Sequence, residues 1–362
     1  TFLENAAICP LSNITGAGFD NFLDELKTLV NSITPKRSDG LFRLPVERSF
    51  SAKGSGTVIA GIPVSGSIRV GDEVILLPQQ QKGRIKALEV FKRKSDIAQA
   101  GQCAALNIPQ LDHHQIQRGD TLTVEDYFTP QLWYLCRLRL LARLPGPLKN
   151  GQKVKFHVGT SEVSAAVYLM QDEPLAAAQE SLVQIRLNQP LVAAPRDRFI
   201  IRSLSPVQTI GGGLVIESLP HRLKRHVPEI QQDLLERAAS ILDEKTFVEY
   251  CLKTAEAAAA APLELARRTK VPLPQTSAIL SELAAQNKII ALPGSVFLHL
   301  DTAARHQQQL LSLVEQFHRD SPSSPGIRCE DLQKMSQLSR NVLDYLLDQL
   351  KETGRLTERS HR

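Results

Sequence analysis

The 362-residue chain carries 43 Lys and Arg against 38 Asp and Glu, which gives a formal net charge of +5 and a sequence pI near 8.9. This length is sufficient for two to four domains, each with its own core, and argues against a single domain. The mild basic excess permits an RNA partner but does not require one.

Cysteine usage and hydropathy exclude further classes. The five cysteines form no C-x-x-C pair and are odd in number, so we expect neither a disulfide framework nor a zinc site. No apolar run is long enough to span a bilayer, and the first residues lack the blocks of a secretory signal. We therefore expect a cytoplasmic protein with no membrane partner and no bound metal.

Residues 1–36 predict a strand end, a loop and a helix. The apolar positions of the helix fall on one stripe, and they are Phe22, Leu23, Leu26, Leu29 and Val30. The first residue is Thr rather than Met, which suggests a fragment. Many strand-loop-helix units have this pattern, so these residues alone leave the fold of the segment open.

Residues 40–128 predict a small closed barrel of short antiparallel strands. Apolar residues alternate at Val58, Ala60, Ile62 and Val64, and turn residues separate this run from V-G-D-E-V. Residues 129–219 predict a second set of short strands, within which Gly211–Gly213 are expected to form a wide bulge. Trp133 and Tyr134 are expected to pack the second barrel rather than stack on a base.

The C-terminal third contains an internal repeat behind a basic linker at residues 220–228. Apolar positions recur 67 residues apart, for example Leu265 with Leu332 and Leu283 with Leu350. Residues 229–301 predict a helix-turn-helix with a β-hairpin, a winged helix, and residues 302–362 predict a truncated second copy. The linker run H-R-L-K-R-H is either a solvated connector or an RNA contact.

Several motifs carry a family resemblance. G-S-G-T-V, S-G-S-I-R-V-G-D-E-V and the later I-Q-R-G-D resemble the second domain of translational GTPases of the elongation factor Tu type. I-T-G-A-G-F-D resembles the last base-contacting loop of their GTPase domain, with Ser12-Asn13 where a Ser-Ala pair is usual. The triple glycine after T-I and the succession of barrels and winged helices resemble bacterial selenocysteine-specific elongation factors, the SelB family.

This resemblance implies a multidomain fold, with two all-β barrels of the elongation factor domain II and III type followed by α+β winged-helix domains. It also implies a fragment that lacks most of the GTPase domain and the last winged helices. The function implied is binding of selenocysteinyl-tRNA for delivery to the ribosome at recoded UGA codons. The mRNA hairpin that marks such codons would be bound by the modules expected to be missing.

The resemblance places an aminoacyl and tRNA site at the mouth of the first barrel. Its residues are Glu47, Arg48, Phe50, Lys53 and Arg118, with Glu47 in place of the usual aspartate. Guanidinium groups suit an ionised selenol better than the hydroxyl of serine. Without the resemblance, a surface or interdomain ion pair would be the preferred explanation for Arg48 and Arg118.

Other basic residues of the first barrel offer phosphate partners around Phe91, namely Lys82, Arg84, Lys86, Lys92, Arg93 and Lys94. His113-His114 are expected to be loop residues, because adjacent strand residues point to opposite faces. The winged helices carry Arg267, Arg268, Lys270 and Lys288. We expect both winged helices to act as spacers.

The chain holds no glycine-rich phosphate loop, no magnesium-binding aspartate motif and no N-K-x-D. GTP and Mg²⁺ are expected in the full-length parent, with Ser12 and Asn13 as a remnant nucleotide loop. We expect no catalytic residue, no cofactor and no GTP hydrolysis in this chain alone. Two alternatives are a winged-helix regulator that reads DNA, although its recognition helix has almost no Arg or Lys, and an interaction scaffold.

Overall fold

The computed structural model describes residues 6–34, 37–52, 56–144, 146–171, 173–224 and 228–358. Helix α1 (Phe19–Ser32) follows Gly18, whose φ of 84° and close approach to the Pro10 carbonyl admit no side chain. The predicted apolar stripe of α1 is present, yet none of its residues is buried. The strand end predicted before the loop is wrong for residues 6–10, because no neighbouring strand pairs with them.

Ten strands and a short 3₁₀ helix form the first barrel. They are β1 (Arg43–Ala52), β2 (Gly56–Gly61), β3 (Ser67–Arg69), β4 (Glu73–Leu77), β5 (Gln81–Arg84), β6 (Ala87–Val90), β7 (Arg93–Ser95), β8 (Ile97–Gln99), β9 (Ala104–Asn107), η1 (His113–Gln115) and β10 (Thr121–Thr123). Eight strands pair in the order β5-β4-β10-β1-β2-β9-β6-β7, and β3 pairs with β8. The all-β unit is confirmed, but this ladder curls without closing, and the β3–β8 ribbon pairs with itself while it packs against the same core through Ile68 and Ala98.

The buried face of β2 is opposite to the predicted one. Ile59 is fully buried, whereas Ile62 is 45% exposed and Val58 is half-buried. Strand β2 ends at Gly61, so Ile62 lies beyond the ladder that would hold it against the core. The alternation therefore predicted a strand correctly but assigned its faces wrongly.

The second barrel is a closed antiparallel barrel. Its strands are β11 (Gln131–Leu140), β12 (Gln152–Val158), β13 (Ser161–Leu169), β14 (Glu180–Leu191), β15 (Arg198–Arg202) and β16 (Thr209–Leu219), in the order β11-β14-β13-β12-β15-β16. Tyr134 lies in its core and donates a 2.6 Å hydrogen bond to the Leu191 carbonyl. Trp133 is partly buried beside Tyr168, so both aromatic residues pack as predicted.

Gly211–Gly213 do not form the predicted bulge. All three pair in register with β11 on one side and β15 on the other, and the register shifts flank them. A Cβ on Gly213 would lie 1.8 Å from the Arg137 carbonyl oxygen, and one on Gly212 would lie 2.6 Å from that of Phe199. The glycines therefore allow three strands to approach closely.

The helical third contains two related units. Its elements are α2 (Pro228–Ser240), α3 (Glu244–Lys253), β17 (Ala259–Ala260), α4 (Pro262–Thr269), α5 (Leu273–Ala285), β18 (Ile289–Leu292), β19 (Val296–His299), α6 (Leu300–Asp320), α7 (Cys329–Ser336) and α8 (Arg340–Glu352). A shift of 67 residues carries the bounds of α4 onto those of α7 and the bounds of α5 onto those of α8. The residues after α4 and α7, Lys270 and Gln337, share a left-handed conformation with φ of 61° and 58°. The predicted repeat and the wing hairpin β18–β19 are confirmed.

The first winged helix shares a core with the second barrel. One apolar cluster contains Leu135 and Ile216 of the barrel together with Leu234 and Phe247 of the helices. Beside it, Glu217 accepts a 2.7 Å hydrogen bond from Arg268 and pairs with Arg237 at 3.2 Å.

The described part of the linker is also held to the second barrel. Buried Gln184 accepts a hydrogen bond from the Leu223 amide and donates one to the Leu223 carbonyl. The guanidinium of Arg222 lies 4.5 Å from the ring centroid of Tyr168. Residues 225–227 of the linker lie outside the described residues.

Three units meet around Phe128. Arg43 of the first barrel binds Asp197 of the second bidentately, and its guanidinium lies 5.6 Å from the Phe128 ring centroid. Lys270 approaches the same ring at 5.4 Å and donates a 2.6 Å hydrogen bond to the Tyr127 carbonyl. Burial lowers the pKa of Lys270 to about 8, because the charged ammonium is held away from water with no carboxylate bonded to it.

We expect Gly213→Ala to destabilise the second barrel by ~3 kcal/mol, because the added methyl group overlaps the Arg137 carbonyl. Gly146→Ala is the matched control, since a Cβ there meets nothing within 4 Å. Urea unfolding of both variants measures the difference. Equal stability of the two variants would contradict the close approach of the strands.

Because the pKa of Lys270 is lowered, we expect the free energy of unfolding to rise with pH in alkaline solution. The folded chain releases this proton near pH 8, whereas the unfolded chain holds it to about pH 10.5. Because the unfolded state binds more protons in that window, the free energy of unfolding rises with pH, by about 1–3 kcal/mol. Urea unfolding of the chain and of Lys270→Met from about pH 7 to about pH 10 tests this. Parallel pH profiles for the two proteins would refute it.

Candidate functional site

The mouth of the first barrel is shaped by a β-bulge in β1. Val46 pairs with Gly61 and Arg48 pairs with Ala60, so Glu47 has no residue opposite it. A bulge changes the direction in which neighbouring side chains point. Glu47 and Arg48 are both exposed at this bend.

The R-G turn lies against the same bulge. Gly119 donates a 3.0 Å hydrogen bond from its amide to the Val46 carbonyl, and Val46 donates a 2.8 Å hydrogen bond to the Asp120 carbonyl. Arg118, also exposed, is therefore a backbone neighbour of Glu47 although 71 positions separate them in sequence. The structure thus brings three of the predicted site residues to one end of the barrel.

These three charged side chains have no partners within the described part of the chain. Among the described residues, no side-chain hydrogen bond or ion pair engages Glu47, Arg48 or Arg118, and the ring contact of Arg48 is with Phe50, at 6.0 Å from its centroid. By contrast, Arg43, five positions before Arg48, is buried and bound bidentately to Asp197. The ion pair considered as an alternative for Arg48 and Arg118 is not formed here.

An exposed aromatic and basic hairpin lies across the sheet from this bulge. Four residues are cross-strand neighbours on one face of β1, β2, β9 and β6, in the order Arg48, Ala60, Ala105 and Glu89. Beyond β6, Phe91 is 63% exposed at the tip of the β6–β7 hairpin, with φ of 50°. Between the two ends, Ala60 is 7% exposed and Ala105 is half-buried.

The predicted basic residues divide into paired and unpaired groups. Lys82 pairs with Glu125, and Arg84 pairs with Glu73. Lys86 and the hairpin residues Lys92, Arg93 and Lys94 are exposed and form no ion pair with any described residue. Phe50 is 42% exposed beside Arg48, whereas Lys53 lies outside the described residues.

The second barrel contributes a contact that the sequence did not predict. Thr160 donates a 2.7 Å hydrogen bond from its hydroxyl to the Val46 carbonyl, and Ser161 donates one of 2.7 Å to the Gly119 carbonyl. Gly119 has φ of 100°, and a Cβ on it would lie 2.9 Å from the Ser161 hydroxyl oxygen. Thr160 and Ser161 therefore bond directly to the backbone that carries Glu47 and Arg118.

The other candidate groups have local explanations. The Ser12 hydroxyl accepts a 3.2 Å hydrogen bond from the Thr15 amide, which shapes a turn that leaves Asn13 exposed, and a nucleotide role for both stays a prediction. His113 and His114 lie in η1 with ring centroids 3.9 Å apart, so the strand argument used for them was wrong. Asp112 accepts a 3.0 Å hydrogen bond from the His114 amide and caps this turn.

The basic residues of the first winged helix are engaged within the molecule. Arg267 pairs with Asp126, Arg268 with Glu217, and Lys288 with Glu249 at 2.9 Å. On α5, Gln275 donates a 3.1 Å hydrogen bond to Asp39. None of the described helices combines the length and the apolar character needed to cross a lipid bilayer.

Three family models match successive parts of the chain. They describe elongation factor Tu domain 2 at residues 56–123, the β-barrel domain of the selenocysteine-specific elongation factor at residues 136–222, and an elongation factor SelB winged helix at residues 311–360. Their order agrees with the order of barrels and winged helices in the structure.

Two relatives that are similar over most of this chain share one name. The selenocysteine-specific elongation factor of Haemophilus influenzae is 29% identical over 365 residues, which cover 99% of this chain and 56% of that protein. The one of Desulfomicrobium baculatum is 33% identical over 231 residues, covering 64% of this chain and 36% of that protein. The chain thus spans about half or less of the length of these relatives.

A solved structure agrees in fold. The crystal structure of a bacterial selenocysteine-specific elongation factor, EF-Sec, superposes with a TM-score of 0.70 over 93% of this chain and 52% of that one, at 19% identity. The family models, the relatives and the fold agree, and the chain belongs to the SelB-type family of selenocysteine-specific elongation factors.

Proposed function

We propose that this chain binds selenocysteinyl-tRNA, with the aminoacyl end at the bulge of the first barrel, as part of a factor that delivers it to the ribosome. The observation that carries the proposal is the group of unpartnered charged side chains Glu47, Arg48 and Arg118. Elsewhere in the molecule, cations near the domain junctions are bonded to carboxylates or carbonyls. Charged groups left without partners at one bend of a strand are available for a ligand.

The charge of the site suits a selenolate. A selenol is largely ionised at neutral pH, whereas the hydroxyl of serine is neutral, so two guanidinium groups favour the selenium side chain. Glu47 offers a carboxylate for the α-amino group of the aminoacyl ester. The same tRNA carrying serine would keep that amino contact and lose the anionic one.

The β6–β7 hairpin supplies the part of the surface that binds RNA without regard to the amino acid. Phe91 presents an aromatic ring to solvent, and the cations of residues 92–94 beside it form no ion pair with a described carboxylate, although Glu89 lies opposite Lys94. Stacking on an aromatic ring and contacts with phosphates are the usual means of holding an unpaired RNA end.

The remaining partners belong to the whole factor. We propose GTP and Mg²⁺ as the cofactors of the full-length protein, the ribosome as the site of delivery, an mRNA hairpin as the ligand of further winged helices, and the cytoplasm as the location. The relatives, which are named selenocysteine-specific elongation factors, support the role in translation elongation.

The alternative of a DNA-reading regulator has less support. Helix α5 carries no Arg or Lys, its Gln275 bonds to Asp39, and its Glu282 pairs with Lys245. A recognition helix needs free donors for bases and phosphates.

Loss of the guanidinium groups is expected to remove discrimination between the two aminoacyl forms. Arg48→Gln and Arg118→Gln should each lower the affinity for selenocysteinyl-tRNA by about tenfold and that for the serine form by much less. Competition binding with both forms of the same tRNA measures this ratio. Arg69→Gln is the matched control, because Arg69 is an exposed arginine on the β3–β8 ribbon whose side chain has no partner among the described residues. Equal binding of both forms by the unaltered chain would refute the proposal.

Removal of the positive charges of the β6–β7 hairpin should weaken binding of the selenocysteine and serine forms of the tRNA equally. Lys92→Gln, Arg93→Gln and Lys94→Gln together are expected to lower the salt dependence of binding, with the slope of log affinity against log salt falling by roughly three. Titrations at several salt concentrations measure the slope. An unchanged slope would show that RNA binds elsewhere.

A further inference from the structure

The strand that carries the proposed aminoacyl site is held from two sides. On the side of its own barrel, the Gly119 amide donates to the Val46 carbonyl, which fixes the R-G turn against β1. On the side of the second barrel, the Thr160 hydroxyl donates to the same carbonyl. The Val46 carbonyl therefore accepts two hydrogen bonds from different units, immediately before the bulged Glu47.

The second hydrogen bond from the second barrel holds the R-G turn at Gly119 and does not involve strand β1. The Ser161 hydroxyl donates to the Gly119 carbonyl, and the positive φ of Gly119 lets the backbone approach this hydroxyl without a side chain between them. A Cβ on Gly159, which precedes these residues, would lie 3.3 Å from Pro45, so the turn is also packed against β1. One turn of the second barrel thus touches both backbone segments from which Glu47 and Arg118 project.

We propose that Thr160 and Ser161 are positioning residues that set the spacing of Glu47, Arg48 and Arg118 and thereby the preference for a selenolate over a hydroxyl. This inference rests on the proposed binding of the aminoacyl group at the mouth of the first barrel. A bulge and a left-handed glycine are local departures from the regular ladder, and the hydrogen bonds from the second barrel oppose their relaxation. Neither hydroxyl needs to touch the tRNA.

A purely structural role and a positioning role differ in what they change. If the hydroxyls only hold the barrels together, their loss lowers stability and weakens binding of both aminoacyl forms equally. If they set the geometry of the charged groups, their loss changes the ratio of the two affinities, because an anion responds to guanidinium placement more strongly than a neutral hydroxyl does.

The test compares Thr160→Val with Ser161→Ala, singly and together, in the whole chain. We expect the double variant to lose at least two thirds of the preference for selenocysteinyl-tRNA over the serine form, roughly a threefold change, with serine-form affinity altered by less than about twofold. Thr160→Ser keeps the hydroxyl and should restore the preference. Glu162→Gln is the matched control, since Glu162 is exposed, pairs with Lys155 and bonds to no described residue of the first barrel.

Hydrogen exchange at the Gly119 amide gives a readout that needs no tRNA. The double variant should exchange this amide faster, because its acceptor carbonyl on Val46 is no longer held from the second barrel. An unaltered affinity ratio together with unaltered exchange overturns the positioning role while leaving the proposed function intact. Absence of any preference in the unaltered chain overturns the proposed function itself.

Discussion

Strand β1 is the element on which the rest of the structure depends, because it is paired within the first barrel and also bonded to the second. Its first half lies in the interface, where Arg43 is buried against Asp197 and the Val46 carbonyl accepts the Thr160 hydroxyl. Its second half emerges at the bulge and exposes Glu47, Arg48 and Phe50. A buried ion pair of this kind contributes little net stability, but removal of one partner leaves an isolated charge that water cannot reach. The pair therefore fixes where β1 lies between the barrels, and the bulge follows from that position.

Charges in the molecule serve two separate purposes. Around Phe128 and Glu217, cations are bonded to acceptors within the chain, so their hydrogen-bond donors are already engaged. At the mouth of the first barrel and on the β6–β7 hairpin, the cations have no described partner and face water. Exposed charges cost little to hold in water, and their attraction is then available to a ligand that displaces that water. This separation distinguishes the arginines that join the units from those proposed to bind tRNA.

The sequence predicted local structure well and long-range contacts poorly. The winged-helix repeat was predictable because helical periodicity and left-handed caps such as Lys270 and Gln337 are set by neighbouring residues. The buried face of β2 was predicted wrongly, and so was a bulge at Gly211–Gly213, because both depend on which strands lie alongside. The family motifs indicated Glu47, Arg48 and Arg118, which lie together at one end of the first barrel, but nothing in the sequence connects Thr160 to Val46, which is 114 positions away.

The winged helices are joined to the barrels by shared cores, which restricts how motion can pass between them. Leu135 and Ile216 of the second barrel pack with Phe247, and Leu298 of the first winged helix packs with Leu346 of the second. Helix α6 begins directly after the wing strand β19, so no loop separates the two winged helices. Rotation of either unit would expose apolar surface at about 25 cal/mol per Å² and break the hydrogen bonds of Gln184 to the linker. Arg43, at the start of the strand that carries the proposed aminoacyl site, and Lys270 of the first winged helix both contact the Phe128 ring, so the first winged helix is packed against the beginning of that strand.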